Sequence, residues 1–148
     1  MKLILNTFDA MKIFIDCEWN STSRELISMA LVAEDGREFY EVIDFSGILI
    51  HPWVSQNVIP ILQKEPISYA DFQHKLAEFL SGFSEIRVIA DWPEDIAHFC
   101  NCIITGPGLR MRIPSFTTEV VWCNAPSELL HNALYDARGI CKELTKSI

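Results

Sequence analysis

Between Glu25 and Phe45 two apolar runs, Glu25 to Glu34 (ELISMALVAE) and Arg37 to Phe45 (REFYEVIDF), stand on either side of Asp35-Gly36. Each run suits a strand, and the dipeptide between them is of the kind that closes a two-residue hairpin turn. The pair predicts an antiparallel hairpin, which rules out an all-helical fold. Upstream, Lys12 to Asp16 is a short run of β-branched and aromatic residues ending in an acid, which reads as a buried strand. Three hairpin-type strands are therefore expected first.

The pattern then changes. From Ser46 to Pro66, Gly47, Pro52, Pro60 and Pro66 interrupt the apolar residues, so this stretch should be irregular, with one short helix around Val58 to Leu62. Ser68 can cap a helix with Asp71 at its third position; Phe72, Leu76, Phe79 and Leu80 follow at helical spacing, and Gly82 ends it. Ile86 to Ala90 is a fourth strand. A helix from about Glu94 to Ile104 follows, with Pro93 suited to its start and Gly106-Pro107-Gly108 to its finish. Phe116 to Trp122 is a fifth strand, and a last helix runs from about Asn132 to Thr145. The order predicts an α/β domain around a mixed five-stranded sheet.

At 148 residues and 49% apolar content, with no linker-like stretch, the chain should form one domain with its own core. We place that domain at 11–148. Residues 1–10 read as an N-terminal extension, because Met11-Lys12-Ile13-Phe14-Ile15 resembles Met1-Lys2-Leu3-Ile4-Leu5 and Met11 offers an alternative start. The opening is too short and polar for a signal peptide, and no run reaches the length of a membrane span. A soluble, cytoplasmic protein with no membrane partner is expected. Five cysteines, an odd number without a Cys-x-x-Cys pair, suggest neither a disulfide framework nor a zinc knuckle. The net charge of −8 argues at first against a nucleic-acid partner. Two bound divalent cations would offset half of it where it matters.

Candidate chemistry begins at Asp16-Cys17-Glu18. One residue apart at a strand end, the two carboxylates share a side of the chain. An acid closing an apolar strand must be solvated, paired or coordinated, so strand termination and metal binding both remain open. His131 and Asp136, five residues apart near a helix start, could flank one cleft. Asp136 beside the apolar stripe of Ile140 and Leu144 needs a cation or a partner such as Arg138. Asp91-Trp92-Pro93-Glu94-Asp95 is an acidic cluster opening a helix. Acids there complement the helix dipole, a reading that suits Glu94 and leaves Asp91 or Asp95 for chemistry.

The ordered set Asp-x-Glu, an Asp near a helix start after the fourth strand, and His-x-Ala-x-x-Asp near the C-terminus resembles the DEDDh exonucleases, among them ribonuclease T and oligoribonuclease. FIDCEW, ELISMALVAEDGREFYEV and HNALYDAR are similar, more closely, to the small stand-alone exoribonucleases first described from mycobacteria, from Met11 almost to the end. The resemblance implies a ribonuclease H-like fold and a 3′-5′ exoribonuclease that releases nucleoside 5′-monophosphates. Asp95 matches the family's second-motif acid better than Asp91, because Phe99 follows it by four residues.

By the same resemblance, Asp16, Glu18, Asp95 and Asp136 would hold two Mg²⁺ or Mn²⁺ ions about 3.5–4 Å apart, with Asp16 between them. His131 would act as general base toward the attacking water. Trp19, next to the acidic pair, could stack on the terminal base or serve as a core aromatic. Arg110, Arg112 and Arg138 are candidate phosphate contacts against a default of solvated surface. The expected partner is the 3′ end of RNA, with single-stranded DNA as the alternative, and a catalytically silent nucleic-acid-binding module is the reading from another class. Related exonucleases are often homodimers, and Ile59 to Leu62, Trp53 and Trp122 could build such a surface.

Overall fold

A computed structural model describes residues 10–146. The expectation for an N-terminal extension falls, apart from Ala10, outside the described residues. Strands β1 (Met11–Trp19), β2 (Leu26–Ala33) and β3 (Glu38–Ile43) form an antiparallel meander. β4 (Pro66–Ile67) adds in parallel to β3, while β5 (Ile86–Ala90) and β8 (Phe116–Val120) extend the other side in parallel with β1. The sheet order is β4-β3-β2-β1-β5-β8, so β1 lies inside the sheet between an antiparallel and a parallel neighbour.

Helices cover both faces. Ile13, Ile15, Met29 and Leu31 meet Phe72, Leu76 and Leu80 of α2 (Tyr69–Leu80) and Phe99 of α3 (Pro93–Ile103). On the opposite face, Ala30 and Val32 meet Ala133 and Ala137 of α4 (Ala133–Leu144), and Phe14 and Ile89 meet Ile140. Alternation along β1 therefore sends Ile13, Ile15 and Cys17 to one side and Phe14 to the other, which carries Asp16 and Glu18 toward the α4 side. No helix among the described residues is long and apolar enough to cross a membrane.

Several sequence expectations need correction. The sheet has six strands, not five, because two residues at Pro66-Ile67 pair with Val42 and Ile43. Proline lacks an amide donor and so sits at a sheet edge, and two residues carry no periodicity. The hairpin loop spans three residues, not two: Gly36 N–H donates to Ala33 O at 3.0 Å, and Ala33 N–H to Arg37 O at 2.8 Å. Gly36 takes φ +97°, the left-handed conformation that such a three-residue loop requires. In the stretch read as irregular, Pro52 begins a helix, α1 (Pro52–Asn57), with proline in its first turn. A 3-10 turn (Ile59–Ile61) stands where the short helix was expected. Gly106-Pro107-Gly108 does not end α3, which stops at Ile103; it turns a small hairpin between β6 (Ile104–Gly106) and β7 (Leu109–Arg110).

Gly139 lies on the face of α4 crossed by the loop at Pro126 and Ser127, where a Cβ would run into the Pro126 carbonyl oxygen. In an ordinary helix interior, alanine would be better than glycine by about 1 kcal/mol. Here the clash with fixed backbone should outweigh that gain, and we expect Gly139→Ala to lower stability by about 1–3 kcal/mol in urea denaturation. An unchanged or higher midpoint would contradict the close approach.

Candidate active site

The acids gather where β1 and β5 end, at the carboxyl edge where open α/β sheets place their ligands. Two groups of three form there: one oxygen each from Asp16, Asp91 and Asp95 lie within 4.8 Å of one another, and so do oxygens of Asp16, Glu18 and Asp136. Asp16 belongs to both. The four acidic sequence candidates Asp16, Glu18, Asp95 and Asp136 therefore sit together with Asp91, and His131 adjoins them through its amide bond to Asp136.

Each is held by its element. Asp95, 1% exposed in the first turn of α3, accepts a hydrogen bond from the Cys17 amide through Oδ1 at 2.9 Å. The bond pins α3 to β1 between the two acids of the Asp-x-Glu pair. Asp136, in the first turn of α4, accepts from the His131 amide through Oδ2 at 3.1 Å, while its Oδ1 is buried without a hydrogen-bond partner. Asp16 Oδ2 is likewise buried and unpartnered. His131 adopts φ +73°, a conformation that costs a non-glycine residue about 1–2 kcal/mol and marks strain held by its surroundings.

Burial and mutual repulsion shape the electrostatics. Burial, then the charges of Asp95, Glu18, Asp136 and Asp91, hold the Asp16 carboxyl well above the ordinary carboxylate range. Glu18 is pushed up to about 9 by burial, with Asp136 and Asp95 adding to the effect. Asp95 rises to about 8, chiefly through burial and against the opposing Cys17 hydrogen bond. Burial also raises Asp136. Elsewhere the protein neutralises a buried acid: Glu41, 5% exposed, meets Lys64 at 2.9 Å and Lys75 at 3.7 Å. Among the described residues no lysine or arginine pairs with Asp16, Glu18, Asp91, Asp95 or Asp136. Arg138 does not neutralise Asp136 but forks onto Glu38 at 2.6 and 2.9 Å, which also occupies it as a phosphate contact.

Other sequence candidates lie differently. Trp19, beyond a β-bulge after Glu18, is half-buried against the core with its ring 5.2 Å from that of His98. Arg110 sits on β7 and borders a separate depression with Ile103, Ile113 and Phe116. Leu62 is buried in the protein's own core, and Ile59 packs against the same cluster. Trp122 remains 74% exposed beside Trp92.

Three residues to which sequence reasoning gave no role at the site build the histidine side. Trp53, expected at a dimer surface, sets its ring edge-on to His131 with centroids 5.0 Å apart. Asn20, 1% exposed, accepts from the His51 amide at 2.8 Å and donates to Leu49 O at 2.9 Å, tying the loop before α1 to the end of β1. Asn132, equally buried, caps α4 through the Leu134 and Tyr135 amides and donates to Ile61 O at 2.8 Å. Only the capping role of Asn132 had a sequence signal, an asparagine immediately before a helical pattern.

Fold and site together define a mixed α/β protein, with a strand order consistent with the ribonuclease H-like arrangement, that gathers acids at the carboxyl end of its central strands. No protein-family model matches the chain. Two curated relatives do, the 3′-5′ exoribonucleases of two Mycobacterium tuberculosis strains, each 33% identical over 149 aligned positions that cover 86% of this chain and 88% of the relative. The chain belongs to the family of small stand-alone 3′-5′ exoribonucleases of mycobacterial type.

The raised carboxyl pKa values have a direct consequence for stability. The unfolded chain ionises Glu18 near 4.5 and Asp95 near 3.8, whereas the fold keeps them protonated up to about 9 and about 8. A raised folded pKa contributes stability that is complete below the unfolded value and is lost as pH rises through the folded one. We expect the melting temperature of chelator-treated protein to fall as pH is raised from 4.5 toward 9. A flat profile across that window would contradict the burial of these acids.

Proposed function

We propose that the protein is a divalent-cation-dependent 3′-5′ exoribonuclease that hydrolyses the terminal phosphodiester of an RNA 3′ end and releases a nucleoside 5′-monophosphate. The observation that carries this reading is the pair of three-carboxylate groups sharing Asp16, with no basic side chain among the described residues to neutralise them. The residues present fit hard cations. All donors are carboxylate oxygens, the ligand type that suits Mg²⁺ and Mn²⁺, and Asp16 Oδ2 and Asp136 Oδ1 are buried oxygens without a partner. The ribonuclease H-like strand order and the DEDDh set of Asp16, Glu18, Asp95, Asp136 and His131 agree with it, and the relatives' names favour RNA over DNA.

In this reading Asp16, Glu18, Asp95 and Asp136 hold two Mg²⁺ or Mn²⁺ ions. Bound divalent cations supply Lewis-acid polarisation of the phosphodiester and stabilise the charge that develops on its oxygens. Cys17 fixes Asp95 through its amide, so that α3 cannot shift without moving a ligand. Asp136 serves twice, offering Oδ1 to the cluster and holding the His131 backbone through Oδ2. His131 takes the proton from the attacking water at a ring nitrogen, and Trp53 restricts that ring. The 3′ oxygen of the penultimate nucleotide leaves with a proton returned from solvent. Trp19, the residue after Glu18 in the chain, is half-buried and offers the terminal base whatever part of its ring the core and His98 leave uncovered.

With Mn²⁺ or Mg²⁺ present, the protein should shorten a 3′-overhanging RNA one nucleotide at a time, and EDTA should stop it. Asp16→Asn should abolish the activity, so digestion at the wild-type rate by that variant would refute the proposal. His131→Asn should lower kcat by about 10²–10⁴-fold while leaving cation binding intact. Matched single strands of RNA and DNA separate the two substrates. Faster loss of DNA would reassign the protein to DNA.

A further inference from the structure

Asp91 stands outside the four-acid set carried by the family resemblance, yet the fold brings it to the same place. β1 and β5 run parallel with Phe14 opposite Ile89. Two places further along, the register sets Asp91 beside Asp16, just past the last residue of β5. Its oxygen lies within 4.8 Å of oxygens from both Asp16 and Asp95. Asp16 Oδ2 is buried without a hydrogen-bond partner. Arg24 pairs with Glu94 at 3.8 Å and Arg87 with Glu119, and among the described residues neither forms an ion pair with Asp91 or Asp95. Asp16 thus shares a second group of three carboxylates with Asp91 and Asp95.

We propose that Asp91 is a fifth carboxylate ligand, and that Asp16, Asp91 and Asp95 form a cation site that fills before RNA binds. This rests on the cation-dependent reading above and deepens it. A Mg²⁺ site with one or two carboxylates depends on substrate phosphate to complete it, whereas each added carboxylate raises affinity through ligand charge. With three acids of its own, this site holds its ion in the substrate-free enzyme. The same extra charge leaves the loaded cleft more negative toward an incoming phosphate. Asp91→Asn, which keeps size and shape, should therefore weaken the ion without removing the other ligands.

The test uses the full chain and Mn²⁺ alone, without RNA, at neutral pH, with ion binding counted by titration calorimetry or by the electron paramagnetic resonance of free Mn²⁺. Wild type should bind two ions per chain. Asp91→Asn should retain one at near wild-type affinity and bind the second about tenfold or more weakly, while Asp91→Glu should recover much of the loss. Melting curves supply an independent readout. Removing one of several repelling acids should raise the melting temperature of the chelated Asn variant and shrink its gain on adding Mn²⁺. A merely structural Asp91 would give the reverse, a lower melting temperature with both ions retained, and would overturn the proposal. Equal binding of two ions by wild type and Asp91→Asn would remove Asp91 from the site and leave the nuclease reading standing. Failure of wild type to bind Mn²⁺ would remove the nuclease reading itself.

Discussion

The Asp16–Glu18 pair, Asp95 and Asp136 come from three distant stretches of the chain, and burial together with neighbouring acids raises the cost of ionising them. Charges buried side by side repel, and burial also strips their hydration. Left to themselves such side chains would turn to solvent, so the surrounding fold has to hold them in place. It does so with rigid parts. β1 is paired on both sides within the sheet, α3 is tied to it by the Cys17–Asp95 hydrogen bond, and α4 is seated by Ala133 and Ala137 against Ala30 and Val32. Small residues at that contact bring the first turn of α4, and with it Asp136, close to the strand that carries Asp16 and Glu18.

The histidine is positioned by different means. Residue 131 holds a left-handed backbone, and the Asp136 carboxylate secures the amide in that conformation. The irregular segment after β3 is stapled at both ends by buried asparagines, Asn20 near its start and Asn132 near its finish. Between the staples lies α1, which presents Trp53 to the His131 ring. A stretch that looks like connecting chain is thereby coupled to the proposed base. Strain of this kind survives only where neighbours over-determine it.

What could be read from the sequence followed from residue chemistry with a short range. The strand Lys12 to Asp16, the hairpin around Asp35-Gly36, the Ser68-capped helix and Ile86 to Ala90 all carry strong periodic or capping signals, and the structure has each of them within a few residues. The β4 pairing, the three-residue loop and α1 were missed because two residues have no period, because loop length depends on the pairing partner, and because proline opens helices as well as breaking strands. At the site, the family motif separated Asp95 from Asp91 by spacing alone. Only the parallel register of β1 and β5 brings both beside Asp16, and register between strands so far apart in the chain leaves no local trace. Trp53 was hidden for the same reason, since its contact with His131 joins segments with no shared pattern.

If the converging acids hold divalent cations around Asp16, the ions themselves should be visible there. Crystals grown with Mn²⁺ and measured at a wavelength where manganese scatters anomalously test it directly. Two anomalous peaks are expected in the cleft, both within coordination distance of Asp16 and one of them reached by Asp136. An empty cleft at saturating Mn²⁺, or peaks lying only on the outer surface away from Asp16, would contradict it.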